Sequence, residues 1–124
     1  MYSYIRDTIL VTAGNEPGRQ GFYALLKNTR EAVNMVLTDG EAYAIYSGVN
    51  ETSKLPGVIA EVGVFKGGSA RLISEAKVNR EFHLFDTFEG LPATSENDAT
   101  FRAGTFKGGL EEVQRFLEGL PNLP

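Results

Sequence analysis

Apolar residues recur with a helical period along the first third of the chain. Over residues 21–37 they fall every three or four positions, with charged side chains on the opposite face, which predicts an amphipathic helix. A second helix is expected to follow at once, because Thr38 and Glu41 have the spacing of a capping box. Residues 1–55 are therefore predicted to be a helical preamble, opened by a lead-in segment at residues 1–13 that has no clear period.

The pattern changes to short apolar runs in the next part of the chain, residues 58–92. The run at 58–62 is interrupted only by Glu61, which is typical of a strand covered on both faces. A turn with several glycines and a helical pattern follow, and a second run at 82–85 ends on an acid, Asp86. This order predicts a β-α-β unit with two parallel strands.

The remainder of the chain is predicted to be a long loop and one more helix. Residues 93–109 are polar and contain glycine, so we expect a loop that could close over a ligand. Apolar residues within 110–117 have helical spacing, and Gly119 is the expected end of that helix.

The turn between the first strand and its helix has the composition of a ligand site. Gly63, Gly67 and Gly68 allow the backbone to bend sharply and to approach a ligand without obstruction by Cβ atoms. Ser69 is placed to cap the helix, and the N-terminus of a helix favours an anionic or carboxylate-bearing ligand.

Asp86 is the strongest single candidate for a ligand contact. It follows Glu61 by 25 residues and ends the second strand, and ligands of open α/β sheets bind at the carboxyl ends of the strands. An acid about 20 residues beyond a glycine turn is the usual partner of a ribose diol, because carboxylate oxygens can accept from both hydroxyls. The predicted ligand is therefore a nucleoside.

The glycine spacing indicates which nucleoside to expect. A dinucleotide fingerprint would have a glycine where Phe65 stands, and the pattern is instead Glu61-x-Gly63-x-x-x-Gly67. This pattern resembles the first motif of class I S-adenosylmethionine methyltransferases. Two longer segments resemble a narrower group, the macrocin-type sugar O-methyltransferases: Glu-Val-Gly-Val-Phe-Lys-Gly-Gly-Ser-Ala at residues 61–70 and Leu-Phe-Asp-Thr-Phe-Glu-Gly-Leu-Pro at residues 84–92.

The resemblance implies a set of cofactor-binding residues. These are Glu61, Gly63, Gly67, Gly68, Ser69, Asp86 and Phe88. Glu61 would help to hold the methionine end of S-adenosylmethionine, through its ammonium or through water. Ser69 would either contact the cofactor carboxylate or serve only as a helix cap. Phe88 would stack near the adenine or, as is commoner for an aromatic residue in such a run, belong to the core. The single histidine, His83, is expected to be structural and not a general base.

The same resemblance implies a fold and a function. The fold would be α/β, an incomplete Rossmann-like domain over residues 1–124 with a cofactor-binding β-α-β core at 58–92. The function would be transfer of a methyl group from S-adenosylmethionine to a sugar or small-molecule hydroxyl, with this chain supplying the cofactor-binding half. In the family, later segments supply further strands, acidic ligands of a divalent metal such as Mg²⁺, and the groups that deprotonate the acceptor. No position here matches them, so we expect a fragment of a longer domain and assign neither catalytic residues nor metal ligands.

Composition narrows the choice of partners. The chain has 12 basic and 16 acidic residues, a net charge of -4 and no cluster of Lys and Arg, which argues against nucleic acid. It has no cysteine, which excludes disulfides, cysteine-ligated zinc and a thiol nucleophile. No apolar run reaches the roughly 18 residues that a bilayer requires. We expect a cytoplasmic protein with a small-molecule substrate such as a sugar-bearing metabolite, and a homo-oligomer stays open.

Two alternatives from other classes remain at this point. One is a non-catalytic, truncated binding module that dimerises through the helix at 22–37. The other is an α/β enzyme with another nucleotide cofactor such as NAD, which the position of Phe65 argues against because its side chain would crowd a pyrophosphate.

Overall fold

The computed structural model describes residues 19–93, 95–96 and 100–118, so the lead-in segment at 1–13 and the predicted stop at Gly119 lie outside the described residues. The described elements, in chain order, are α1 (Arg19–Ala32), α2 (Asp39–Glu51), β1 (Ile59–Val62), α3 (Gly68–Ala76), β2 (Phe82–Phe85) and α4 (Leu110–Leu117). This mixture of helices with a small parallel sheet confirms the predicted α/β class. Within these ranges, no helix is long and apolar enough to cross a membrane.

Helix α1 ends earlier than the sequence pattern predicted. It stops at Ala32, and the predicted continuation to about residue 37 is wrong. The guanidinium of Arg30 donates to the carbonyl oxygen of Leu37 at 2.8 Å and to the carboxylate of Asp39 at 2.6 Å. These bonds hold residues 33–38 in a turn that leads directly into α2, so the apolar side chains there pack as part of a loop.

Helix α2 begins as predicted. Thr38 is its N-cap, and both bonds of the capping box are present: the Glu41 amide donates to the Thr38 hydroxyl at 3.3 Å, and the Thr38 amide donates to the Glu41 carboxylate at 2.8 Å. At the other end, the guanidinium of Arg80 donates to the carbonyl oxygens of Val49 at 2.5 Å and Thr52 at 3.1 Å. Arg80 thereby satisfies carbonyl groups that a helix leaves without partners at its C-terminus.

The two strands pair in parallel, with Ile59 opposite Phe82 and Val62 opposite Phe85. The ladder continues into the turn, where the Gly63 amide donates to the Phe85 carbonyl at 2.9 Å. One face of the sheet is covered by helices. On the other face the side chains of Val62 and Phe85 are 84% and 55% exposed, so the expectation of a strand covered on both faces is wrong for the described part of the chain.

Two apolar clusters share helix α3. The sheet cluster consists of Val64, Ala70, Ile73, Phe82, Val113 and Leu117. The helix cluster consists of Phe22, Leu26, Ala42 and Leu72. Because α3 contributes Ala70 and Ile73 to the first and Leu72 to the second, it is packed on two sides, and its N-terminus is fixed in position next to the end of β1.

The loop after β2 folds back on itself. The Leu91 amide donates to the Thr105 carbonyl, and the Gly104 amide donates to the Leu91 carbonyl, both at 2.9 Å. The two arms of this loop approach so closely that a Cβ atom at Gly90 would lie 2.6 Å from the Gly104 carbonyl oxygen. Just ahead of α4, the same segment lies against the glycine turn, where a Cβ atom at Gly108 would overlap the carbonyl group of Phe65.

Candidate functional site

The acid at the end of β2 and the glycine turn after β1 meet. One carboxylate oxygen of Asp86, Oδ2, accepts the amides of Val64 at 2.6 Å and Phe65 at 3.1 Å. The other, Oδ1, accepts the amide of Phe88 at 2.9 Å. Partial burial acts to raise the pKa of Asp86, but the hydrogen bonds from these backbone amides outweigh it and hold the pKa below its usual value. Asp86 is therefore ionised at neutral pH and braces the turn.

Glycine is required at the three positions of the turn for different structural reasons. Gly67, the N-cap of α3, has a φ of 83°, and a Cβ there would lie 3.3 Å from the Phe116 ring of α4. A Cβ at Gly68 would collide with the side chain of Met35. Gly63 also has a positive φ, 92°, yet a Cβ there would meet nothing. Packing thus explains Gly67 and Gly68, while Gly63 faces open space beside the turn.

Ser69 does not cap its helix. Gly67 holds the cap position, and no side-chain cap bond is found there, so the helix-cap interpretation of Ser69 is wrong. The Ser69 hydroxyl instead donates to Oε1 of Glu61. This bond links the first turn of α3 to the acid in the middle of β1.

Glu61 is a largely buried acid with one oxygen unsatisfied. Its Oε2 atom is inaccessible to solvent and has no hydrogen-bond partner among the described residues. Burial raises the pKa of Glu61 to about 7; the Ser69 hydrogen bond lowers it, and the negative charge of Asp86 raises it further. A buried carboxylate without a full set of partners is costly for the fold, which suggests a purpose other than stability.

A cleft of about 210 Å³ is lined by Ser69, the residue whose hydroxyl donates to Glu61. It is lined by Asn34, Met35, Val36, Leu37, Gly63, Val64, Phe65, Gly68, Ser69 and Phe106. Small-molecule sites usually measure roughly 300–1,000 Å³, so the cleft is large enough for one end of a cofactor and not for the whole of it. The sequence did not indicate residues 34–37 as part of a site, because their spacing favoured a helix.

Two other candidates lie away from this cleft. Phe88 has a φ of 60° and packs against the sheet cluster, which is the core alternative considered from the sequence. His83 lies on the exposed face of the sheet, where its Nε2 atom is 3.1 Å from Oε1 of Glu81 and its ring stacks on Phe85. Since side chains alternate along a strand, His83 and the partner of its register, Ala60, face away from Glu61.

The described ranges contain no group of three or more His, Cys, Asp or Glu side chains that could hold a metal ion. The polar groups in and next to the turn are two carboxylates, which accept hydrogen bonds, one hydroxyl, and backbone amides, which donate them. They suit a ligand with an ammonium, a carboxylate and hydroxyl groups better than a bare cation.

The model of the family macrocin-O-methyltransferase (TylF) matches residues 42–116. The chain belongs to this family. The matched region contains the β-α-β unit, Glu61, Asp86 and the loop that carries Phe106, whereas the cleft wall at residues 34–37 precedes it. Membership of the family indicates O-methylation as the reaction class. Neither the curated proteins nor the solved structures that were compared contain a match.

Proposed function

We propose that the chain is the cofactor-binding half of an S-adenosylmethionine-dependent O-methyltransferase, with a Rossmann-like fold and a hydroxyl group of a sugar or small molecule as its acceptor. Family membership supports the reaction class. The cleft lined by Ser69 and the glycine turn, together with the bond from Ser69 to Glu61, supports the cofactor.

The unsatisfied oxygen of Glu61 is the observation that carries this proposal. Oε2 is buried without a donor among the described residues, and the hydroxyl that holds Oε1 belongs to Ser69, which lines the cleft. The methionine end of S-adenosylmethionine carries an ammonium, which would supply the missing donor and a compensating charge. Gly63, two residues beyond Glu61, lines the cleft and has no atom within 4 Å of a Cβ position, so the turn next to this acid is not filled by side chains.

The other end of the methionine moiety has a matching partner. Helix α3 begins at Gly68 without a side-chain cap on its first turn. The amide groups there and the positive end of the helix dipole would hold the cofactor carboxylate.

The bracing role of Asp86 limits how it would hold the ribose. A carboxylate has about four sites for hydrogen-bond donors, and backbone amides fill two on Oδ2 and one on Oδ1. Oδ1 therefore keeps capacity for at most one ribose hydroxyl, so the contact to both hydroxyls expected from the sequence is reduced to a single hydrogen bond.

When bound, S-adenosylmethionine supplies a methyl group on a positively charged sulfur, which is transferred in line to a hydroxyl oxygen. The residues of this chain would contribute orientation: Glu61 and α3 fix the methionine end, and Asp86 with the turn fixes the nucleoside. Holding the methyl donor in one orientation increases the rate of transfer, because less entropy is lost in reaching the reactive geometry. We assign no base for the acceptor proton to the described residues.

Isothermal titration with S-adenosylhomocysteine at pH 8 tests the proposal. The chain should bind, and Glu61→Gln should weaken binding by roughly tenfold or more, because a neutral amide loses the charge-assisted bond. Glu89→Gln is the matched control, since Glu89 is an exposed acid in the loop after β2 and should leave affinity unchanged. Absence of binding, or equal binding by the Glu61 variant, would refute the proposal. Displacement of the ligand by NADH would favour a different nucleotide cofactor.

The same titration has a predicted pH dependence. An ammonium ligand favours the ionised form of Glu61, whose pKa lies near 7, so the affinity should rise by about tenfold from pH 6 to pH 8. The rise should vanish in Glu61→Gln. A pH profile that is the same in both proteins would remove Glu61 from the site.

A further inference from the structure

Two phenylalanine rings form one wall of the cleft. Phe65 comes from the glycine turn and Phe106 from the segment before α4, and both line the cleft together with Ser69. Their ring centroids lie 5.7 Å apart with the planes at 90°, an edge-to-face contact. Since one residue is local to the turn and the other is 41 positions away, the wall exists only when the loop before α4 is docked.

The backbone around these rings is held in an unusual conformation. Phe65 has a φ of 51° and Phe106 a φ of 60°, values that residues other than glycine rarely adopt. Gly108 packs so tightly on the backbone of Phe65 that a Cβ there would overlap its carbonyl group. Conformations of this kind persist where the surroundings impose them, and they are commonest at ligand sites.

The wall is electrostatically suited to a positive charge. The face of an aromatic ring attracts cations within about 6 Å of its centroid, and the ammonium of Lys66 already lies 5.9 Å from the centroid of Phe65. Lys66 also lies 3.8 Å from the carboxylate of Glu112, which offsets its charge. Ser69, which also lines the cleft, donates its hydroxyl to the Glu61 carboxylate. The rings and the acid bonded to Ser69 favour a cation in the cleft, and the residues that line the cleft add no cationic side chain.

We infer that Phe65 and Phe106 contact the sulfonium of the donor and make the cleft selective for the charged cofactor over its neutral product. This inference rests on the proposed function. It assigns to Phe106 a role in specificity: the ring stabilises the sulfonium before transfer and loses that attraction once the sulfur becomes a neutral thioether. Product release is thereby favoured.

The experiment compares three ligands by isothermal titration at pH 8. They are S-adenosylmethionine, S-adenosylhomocysteine, and sinefungin, in which a protonated amine replaces the methylated sulfur. The wild-type chain should bind the two cations about fivefold more tightly than the neutral thioether. In Phe106→Leu this preference should decrease, because only the Phe65 ring remains, while affinity for S-adenosylhomocysteine stays the same. Phe106→Tyr, which keeps an aromatic face, should retain it.

Phe101→Leu is the matched control. Phe101 packs against Phe106 with a centroid distance of 5.3 Å, but it is not among the residues that line the cleft. It should therefore leave the preference unchanged. Equal wild-type affinity for the three ligands would overturn the inference and leave the proposed function intact, and this comparison needs no variant. Equal weakening of all three by Phe106→Leu would reduce the ring to a packing role. If none of the three binds, the proposed function fails together with the inference.

Discussion

Replacing Glu61 by glutamine should make the protein more stable at high pH while weakening the proposed binding of the cofactor. The carboxyl group is buried in β1, and its pKa is raised from 4.5 to about 7. Between these values the folded chain binds more protons than the unfolded chain, so the stability falls as the pH rises through this window, and the loss is almost complete at pH 8. Glutamine does not titrate, so the Glu61→Gln variant lacks this loss.

The size of the effect follows from the pKa shift. Each pKa unit corresponds to about 1.4 kcal/mol, and the two pKa values imply that the wild type loses about 2.5 kcal/mol relative to the variant between pH 5 and pH 8. This is an upper bound, because part of the Glu61 side chain is not buried. Glutamine leaves its own amide partly unpaired, at a cost of about 1–2 kcal/mol at every pH. We therefore expect a variant that is less stable than the wild type at pH 5 and more stable at pH 8.

Urea denaturation at half-unit steps from pH 5 to pH 8.5 measures this difference. Groups that titrate in both proteins, including Asp86 with its lowered pKa, cancel in the comparison. Glu89→Gln, an exposed acid, should follow the wild-type curve. Parallel curves for wild type and Glu61→Gln would show that Glu61 titrates normally, and the account of this acid as a residue retained for binding at the expense of stability would fail.

Three further substitutions test the fold around the site. Val78→Gly should stabilise the chain by about 1 kcal/mol in thermal denaturation, because Val78 is exposed with a φ of 58°; Val58→Gly, at an exposed position without positive φ, should not. Gly108→Ala should cost about 1–3 kcal/mol by collision with the turn, whereas Gly109→Ala, where a Cβ meets nothing, should cost little. Arg80→Lys should lower stability by about 1–2 kcal/mol, since an ammonium cannot reproduce the fork that serves two helix ends. Equal effects within either pair, or an unchanged melting temperature for Arg80→Lys, would contradict these assignments.

Local patterns predicted the elements whose determinants lie close together in the sequence. The capping box of α2 depends on two residues three positions apart, and both of its bonds are present. The end of α1 depends on hydrogen bonds from Arg30 to residues seven and nine positions away. The periodic pattern of apolar residues does not reveal these bonds, so it predicted a longer helix.

The same division holds at the candidate site. The meeting of Asp86 with the glycine turn follows from parallel pairing, because the carboxyl ends of neighbouring strands lie at one edge. The bond from Ser69 to Glu61 depends on the angle between β1 and α3, which the sequence does not reveal. From its spacing alone, a serine near the start of a helix resembles an N-cap. Phe106 reaches the cleft only through the docking of a distant loop, for which the sequence carries no periodic signal.

Because both apolar clusters include residues of α3, ligand binding at this helix would also stabilise the helices packed against it. Leu72 anchors this helix among α1 and α2, while Ile73 anchors it against the sheet. A ligand seated at its first turn would slow hydrogen exchange at amides of α1 and α2, well outside the matched family region in the case of α1. Hydrogen exchange in the helical preamble would then report whether the site is occupied, although the preamble helices α1 and α2 do not contact the ligand.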